Sequence, residues 1–178
     1  RLELLQISEP SPEARDQALA DAVADLDGLL ETLESLLSIA RIDHGATVQR
    51  ERVDVARLLD DLVDYFSPLA EEKSLTLSLT TEGAPAVEAD RHLLFQALAN
   101  VVDNAVRYTP AGGHIAVSAR RRGGEVEMRV ADDGPGIPAA DRKRVLERFV
   151  RLDASRHQPG SGLGLSVVDA VVRHHGGR

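Results

Sequence analysis

Apolar positions in the first quarter of the chain recur with the spacing of one long amphipathic helix. Ser11 and Pro12 are typical of a helix start, and Gly45 is typical of a helix end. Between them, apolar residues follow one another at alternating steps of four and three: Leu19, Val23, Leu26, Leu30, Leu33, Leu37 and Ala40. A second row at Ala22, Leu29 and Leu36 makes the stripe wider than a two-stranded seam needs. The pattern predicts a helix over residues 12–44 that forms a four-helix bundle in a homodimer.

After Gly45 the pattern changes to short alternating segments between helices, as in an α/β protein. The predicted boundary separates a helical arm, residues 1–45, from a second domain, residues 46–178. The elements predicted in the second domain are a strand near Val48–Val53, a helix from Asp54 to about Glu72, a strand through Leu75–Leu79, a turn at Glu82–Pro85, a helix from Asp90 to about Tyr108, a β-hairpin of His114–Arg121 and Glu125–Ala131, a short helix at Ala139–Leu146, and a last helix at Gly164–His175.

Composition and charge narrow the class of protein. The 178 residues are 43% hydrophobic and carry a formal charge of −8, which fits a globular protein and argues against nucleic acid as the main partner. The absence of cysteine excludes disulfides and thiolate metal sites. No apolar run approaches the roughly 20 residues that a membrane span requires.

Polar side chains cluster at the end of the helix that Asp90 begins. Asn100 and Asn104 are four residues apart, so they share one helical face, and Arg107 lies on nearly the same face. An amide oxygen can bind Mg²⁺, a cation can meet phosphate oxygens, and the ring of Tyr108 can stack on a base. The alternative is that the two asparagines satisfy local backbone groups.

Two glycine-rich segments follow. Asp132 ends a strand and can accept a hydrogen bond from an exocyclic amine, while Gly134 and Gly136 let the backbone approach a ring. The same residues also make a strong turn sequence in any protein. The segment Gly160–Gly164 precedes a helix and can cradle an anion, or it can be a flexible linker. Its spacing matches neither the dinucleotide fingerprint nor the P-loop.

The connection between Ile137 and Gly160 is long and irregular, and it contains Phe149. Arg148, Arg151 and Arg156 place positive charge in it. Long irregular connections are usually functional or disordered, so this segment is either a lid over phosphates or a solvated charged loop.

In their order, these segments resemble the N, G1, F and G2 boxes of the sensor histidine kinases of two-component signalling, within the superfamily of gyrase-type and chaperone ATPases. The boxes correspond to residues 100–108, 132–136, 146–151 and 160–165. Helix 12–44 is similar to the second helix of that family's dimerisation domain. The resemblance implies an α+β fold, namely a two-layer α/β sandwich of the Bergerat type preceded by a helical-hairpin arm, with a final strand pair expected beyond Arg178.

The resemblance also implies roles for individual residues. Asn104 would coordinate Mg²⁺ with Asn100 supporting it, Asp132 would recognise the adenine amino group, and Tyr108 would lie against the base. The catalytic residues would be Asn100, Asn104 and Arg107. The other ATP-binding residues would be Gly134, Gly136, Ile137, Phe149, Arg151, Gly160, Ser161, Gly162, Leu163, Gly164 and Leu165.

The implied activity is transfer of the ATP γ-phosphate to a histidine of the dimerisation helix and onward to a response-regulator receiver domain. ATP-hydrolysing members carry Glu where this chain has Asn100, and a neutral amide cannot act as a general base. No histidine here fits the acceptor position, so the acceptor is expected upstream of Arg1, in a parent protein anchored in the membrane with this part facing the cytoplasm. Two alternatives stay open: a protein-serine kinase of the anti-sigma-factor type, and a degenerate nucleotide-binding dimeric scaffold.

Overall fold

A computed structural model of the chain describes residues 11–43, 49–83, 85–152 and 161–178. Its first element is helix α1, Pro12–Asp43. The Ser11 hydroxyl accepts a hydrogen bond from the Ala14 N–H at 3.2 Å, so the predicted cap is confirmed. Residues 1–10, the arm boundary at residues 44–48, and Arg156 and Gly160 lie outside the described residues. No helix in the described ranges is long and apolar enough to cross a membrane.

The remaining elements alternate between strands and helices. They are β1 (Glu51–Asp54), α2 (Val55–Glu72), β2 (Thr76–Glu82), β3 (Ala86–Ala89), α3 (Arg91–Tyr108), β4 (His114–Arg122), β5 (Glu125–Asp132) and α4 (Gly164–His174). Strands β2 and β4 are parallel, β4 and β5 antiparallel, and together they form a sheet in the order β2–β4–β5. Strands β1 and β3 form a separate antiparallel pair.

Helices α2 and α3 cover one face of the three-stranded sheet, which gives the expected two-layer α/β fold. Asp54 and Asp90 cap the two helices as predicted, each accepting backbone N–H bonds through a carboxylate oxygen. Leu58, Leu59 and Leu62 of α2 are fully buried, and alternating residues of β4, starting with Ile115, meet them from the sheet side.

A second, smaller core joins α1 to the rest of the molecule. Ile39 of α1 is buried there. Its neighbours in this core are Leu93 and Ala97 of α3, Leu163 just before α4, and Val167 and Val171 of α4. The Ser38 hydroxyl donates to the Gln96 side-chain oxygen across the same contact at 2.8 Å. Helix α1 is therefore packed on the α/β part of the chain along one face.

The helix predicted at Ala139–Leu146 is wrong. The segment forms turns that end in a single 3₁₀ turn, Arg144–Leu146. Most of its side chains are exposed, and a stretch this short has too little apolar surface to bury for α-helix to be stable. Strand β3 was not predicted, because its four residues form a strand only by pairing with the distant β1.

Candidate functional site

The candidate polar residues of α3 all lie in its last three turns. Asn100, Asn104, Arg107 and Tyr108 are half-buried. The Asn100 side-chain amide donates to the Gln96 carbonyl at 2.9 Å, which fixes its orientation. The Asn104 side chain, by contrast, makes no hydrogen bond to any residue that the structure describes. Asn104 therefore offers an amide oxygen that a cation can use.

Arg107 is placed by a local ion pair. One guanidinium nitrogen lies 2.9 Å from a carboxylate oxygen of Asp103, one helical turn earlier. The pair is partly buried, which limits solvent screening, and it holds the arginine along the helix.

The turn after β5 is built against the end of α3. A carboxylate oxygen of Asp132, Oδ1, accepts the Gly134 N–H at 2.8 Å, while Oδ2 accepts no hydrogen bond from the described residues. A Cβ at Gly134 would lie 2.6 Å from Asp132 Oδ1 and 3.2 Å from the Tyr108 carbonyl oxygen. A side chain at this position would displace the Asp132 carboxylate and crowd the end of α3, so glycine suits this turn. Asp133 ties the turn to β4 by accepting the His114 N–H at 2.9 Å.

The segment that enters α4 contacts α3 from another side. A Cβ at Gly164 would lie 2.7 Å from Asn100 Oδ1, so any larger residue there would displace the Asn100 side chain. Gly162 has a φ of +71°, and its carbonyl accepts the Phe149 N–H at 3.0 Å. Arg151 lies beside it, since its Cγ would be 3.1 Å from a Cβ at Gly162. Ser161 Oγ accepts the Leu163 N–H at 3.3 Å.

Two of the predicted segments therefore contact α3 directly, and a third is linked to α3 through one of them. The Asp132–Gly136 turn meets Tyr108, Gly164 meets Asn100, and Phe149 is bonded to Gly162. Phe149 has a left-handed φ of +62° and its side chain is 62% exposed, so it projects outward. Ile137 and Gly136 are also exposed, and Leu165 is half-buried. Leu163 is fully buried in the same core as Ile39, so its side chain anchors the segment that enters α4.

A cavity of about 730 Å³ lies at the opposite end of α3, near Asp61, Arg91 and Phe95. It contains none of the predicted site residues. Its walls carry acids and arginines that pair with each other, such as Asp61 with Arg91. The predicted site residues of α3 lie in its last three turns, away from this cavity.

A family model described as "histidine kinase-, DNA gyrase B-, and HSP90-like ATPase" matches residues 89–178, which is half of the chain. The chain belongs to this ATPase family. All of the candidate site residues fall within the matched part.

The chain is similar to several curated proteins. The sensor-like histidine kinase SenX3 of Mycolicibacterium smegmatis is 32% identical to it over 98% of this chain's residues. The kinase/phosphatase MprB of Mycolicibacterium paratuberculosis is 35% identical over 99% of it. The structure is similar to that of full-length ShkA in complex with AMPPNP, with a TM-score of 0.74 and 30% identity over 95% of this chain and 35% of that one. The chain spans 46% and 34% of the first two relatives. The resemblance to sensor histidine kinases is confirmed.

Sequence reasoning missed the residues that hold this ATPase-family site together. Gln96 orients Asn100 through its carbonyl, and Asp133 anchors the turn that follows β5. Gln96 precedes Asn100 by one helical turn, and that spacing is a signal available in the sequence. The contact of Asp133 with His114 depends on strand register, which the sequence does not display.

Proposed function

We propose that this chain is the ATP-binding region, with part of the dimerisation region, of a sensor histidine kinase. It would transfer the γ-phosphate of ATP to a histidine on a dimerisation helix outside this chain, and from there to a response-regulator receiver domain. Membership of the ATPase family and the names of the relatives support the proposal. The parent protein would be a membrane-anchored sensor with this region in the cytoplasm.

The observation that carries the proposal is the arrangement around α3. The Asn104 side-chain amide makes no hydrogen bond to the described residues and lies on the same helix as Arg107 and Tyr108, and Gly134 lets the Asp132 turn approach that helix end closely. The free Oδ2 of Asp132 can accept a hydrogen bond from the adenine amino group. Asn104, Arg107 and Tyr108 follow one another along the last turns of α3, and the Asp132 turn approaches the Tyr108 end, so a base would bind near Asp132 and phosphates nearer Asn104.

The donor set fits Mg²⁺ bound together with ATP. The described residues contain no group of three or more His, Cys, Asp or Glu side chains that could enclose a metal by themselves. Mg²⁺ is commonly held by one or two protein oxygens, with phosphates and water completing the shell. The amide oxygen of Asn104 would be the protein ligand. When bound, the ion neutralises phosphate charge and aligns the phosphates.

The residues of this chain then act by orientation and charge. Asn100 is bonded to Gln96 and cannot accept a proton, so it has no means of activating water for hydrolysis. Arg107 would stabilise charge on the phosphates, and Tyr108 would lie against the base. Phe149 and Arg151, with the Gly160–Leu165 segment, would close over the phosphates and exclude water. Such a site favours transfer to a side-chain nucleophile, which needs positioning more than a base.

The decisive experiment measures Mg²⁺-dependent ATP binding by calorimetry. It compares the unsubstituted chain with the variants Asn104→Ala and Asn104→Asp. The alanine variant should lose measurable Mg²⁺-dependent binding, because it lacks the ligand oxygen, while the aspartate variant should retain it. Thermal unfolding without nucleotide should be nearly unchanged, since Asn104 makes no hydrogen bond to the described residues. Equal ATP affinity in the alanine variant would refute the metal assignment.

The phosphotransfer step needs a longer protein that includes the preceding helix. With γ-labelled ATP and Mg²⁺, an acid-labile and alkali-stable label on that protein would identify phosphohistidine. Release of free phosphate without protein label would contradict the kinase proposal and indicate an ATPase.

A further inference from the structure

The side chain of Lys73 bridges two helices that end at the same place. Lys73 is the C-cap residue of α2 and is half-buried. Its ammonium group donates to the Val106 carbonyl at 2.7 Å and to the Arg107 carbonyl at 2.6 Å. Both acceptors belong to the last turn of α3, more than thirty residues away along the chain.

The last carbonyls of a helix have no partner within the helix and need one from elsewhere. In α3 the Thr109 N–H satisfies the Ala105 carbonyl at 2.9 Å, and Lys73 satisfies the next two. The ammonium also lies at the negative end of the helix dipole, where a cation is stabilised. Lys73 therefore supplies both hydrogen bonds and charge at this helix end.

The turn that Lys73 caps is also a wall of the nucleotide site. It carries the side chains of Arg107 and Tyr108, and the Tyr108 carbonyl is the group against which Gly134 packs. The backbone that follows Lys73 is fixed to the same region, because the Ser74 carbonyl accepts the Gly112 N–H at 2.9 Å. A shift of the last turn of α3 would thus displace the phosphate-binding and base-binding side chains together.

We propose that Lys73 is a positioning residue for ATP binding, which sets the last turn of α3 at the distance from the Asp132 turn that the nucleotide requires. This inference rests on the proposed function of the site. Lys73 itself contacts carbonyls of the protein, so its effect is exerted through Arg107 and Tyr108.

The test compares two variants. Lys73→Met keeps the approximate length of the side chain and removes its hydrogen-bond donors, whereas Lys73→Arg retains both donors and charge. Calorimetric titration with Mg²⁺–ATP should show about tenfold weaker binding for Lys73→Met and recovery of most of the affinity for Lys73→Arg. A matched control is Arg50→Met, because Arg50 donates to the His174 carbonyl at the C-terminus of α4 at 2.9 Å, away from the site. That variant should lose some thermal stability and keep the ATP affinity of the parent.

Several outcomes would overturn the inference. Equal affinities of Lys73→Met and the parent, with a lower unfolding temperature, would reduce Lys73 to a helix cap with no role in binding. An equal loss of affinity in Arg50→Met would mean that general destabilisation weakens binding. If Lys73→Met does not fold, Lys73→Gln should show an intermediate affinity, and parent-like affinity in that variant contradicts the proposal. Failure of the parent itself to bind ATP would overturn the proposed function as well, which separates the two cases.

Discussion

Helices α1 and α2 are both rich in leucine, yet they bury it very differently. Leu58, Leu59 and Leu62 of α2 are 0% exposed, whereas Leu26 and Leu30 of α1 are 59% and 56% exposed. Periodic leucine spacing therefore reports that a helix has an apolar face, and only the surroundings show whether the same chain covers it. The exposed leucines of α1 lie next to one another, including Leu26, Leu30 and Leu33, and so form a continuous apolar patch. Apolar patches of this kind usually mark interfaces, which supports the predicted homodimer.

The sharpest way to test this contrast is to delete equivalent side chains on the two helices. Leu62→Ala should lower the free energy of unfolding by about 2–5 kcal/mol, because it leaves a cavity in a closed core. Leu30→Ala should change it by less than about 0.5 kcal/mol in the separated chain, since that side chain is already in water. Urea unfolding monitored by circular dichroism measures both values.

Protein concentration provides the control for that comparison. The effect of Leu30→Ala should grow with concentration as the dimer forms, whereas the effect of Leu62→Ala should persist when the chain is diluted to the monomer. Equal effects of the two substitutions in dilute solution would show that the α1 stripe is covered within one chain.

A charge in the α1 stripe tests the dimer directly. Leu30→Asp or Leu33→Asp should weaken association at least about thirtyfold, or roughly 2 kcal/mol, because an unpaired carboxylate would be buried between the helices. Sedimentation velocity over a range of concentrations measures the shift to monomer. A control is Glu34→Gln, a charge-removing change beside the stripe that should leave association nearly unaltered. A sedimentation profile of Leu30→Asp that matches the parent would refute the proposed interface.

Much of the fold could be predicted because its signals are local. The caps at Ser11, Asp54 and Asp90 and the apolar spacing that follows each of them locate three helices within a residue or so. The helix predicted at Ala139–Leu146 failed for a local reason, because the stretch is short and exposed, whereas the features that the sequence did not predict depend on distant partners. Strand β3 forms by pairing with β1, and the burial of Ile39 results from the position of α4 more than a hundred residues later.

The candidate site divides in the same way. The residues whose chemical type signals a nucleotide, such as Asn104 and Asp132, can be recognised from motif order. The residues that hold them cannot, because Lys73 and Gln96 act through backbone carbonyls, and those contacts are set by the packing of α2 on α3 and by the helical turn itself. Leu163 illustrates the converse, since its place in a glycine-rich motif suggested binding and its side chain is in the second core.

The smallest expected effect is at the seam between α1 and the α/β part. Ser38 is nearly buried and donates to Gln96 at 2.8 Å, so Ser38→Ala should cost about 1 kcal/mol and leave the Gln96 amide oxygen without that donor. Ser35 lies one turn earlier and is similarly buried, but its side chain has no hydrogen bond to any residue in the described ranges. Ser35→Ala is therefore the matched control, expected to change the urea midpoint less. If both substitutions have the same effect, the Ser38–Gln96 bond contributes nothing specific, and the docking of α1 rests on the apolar contacts of Ile39 alone.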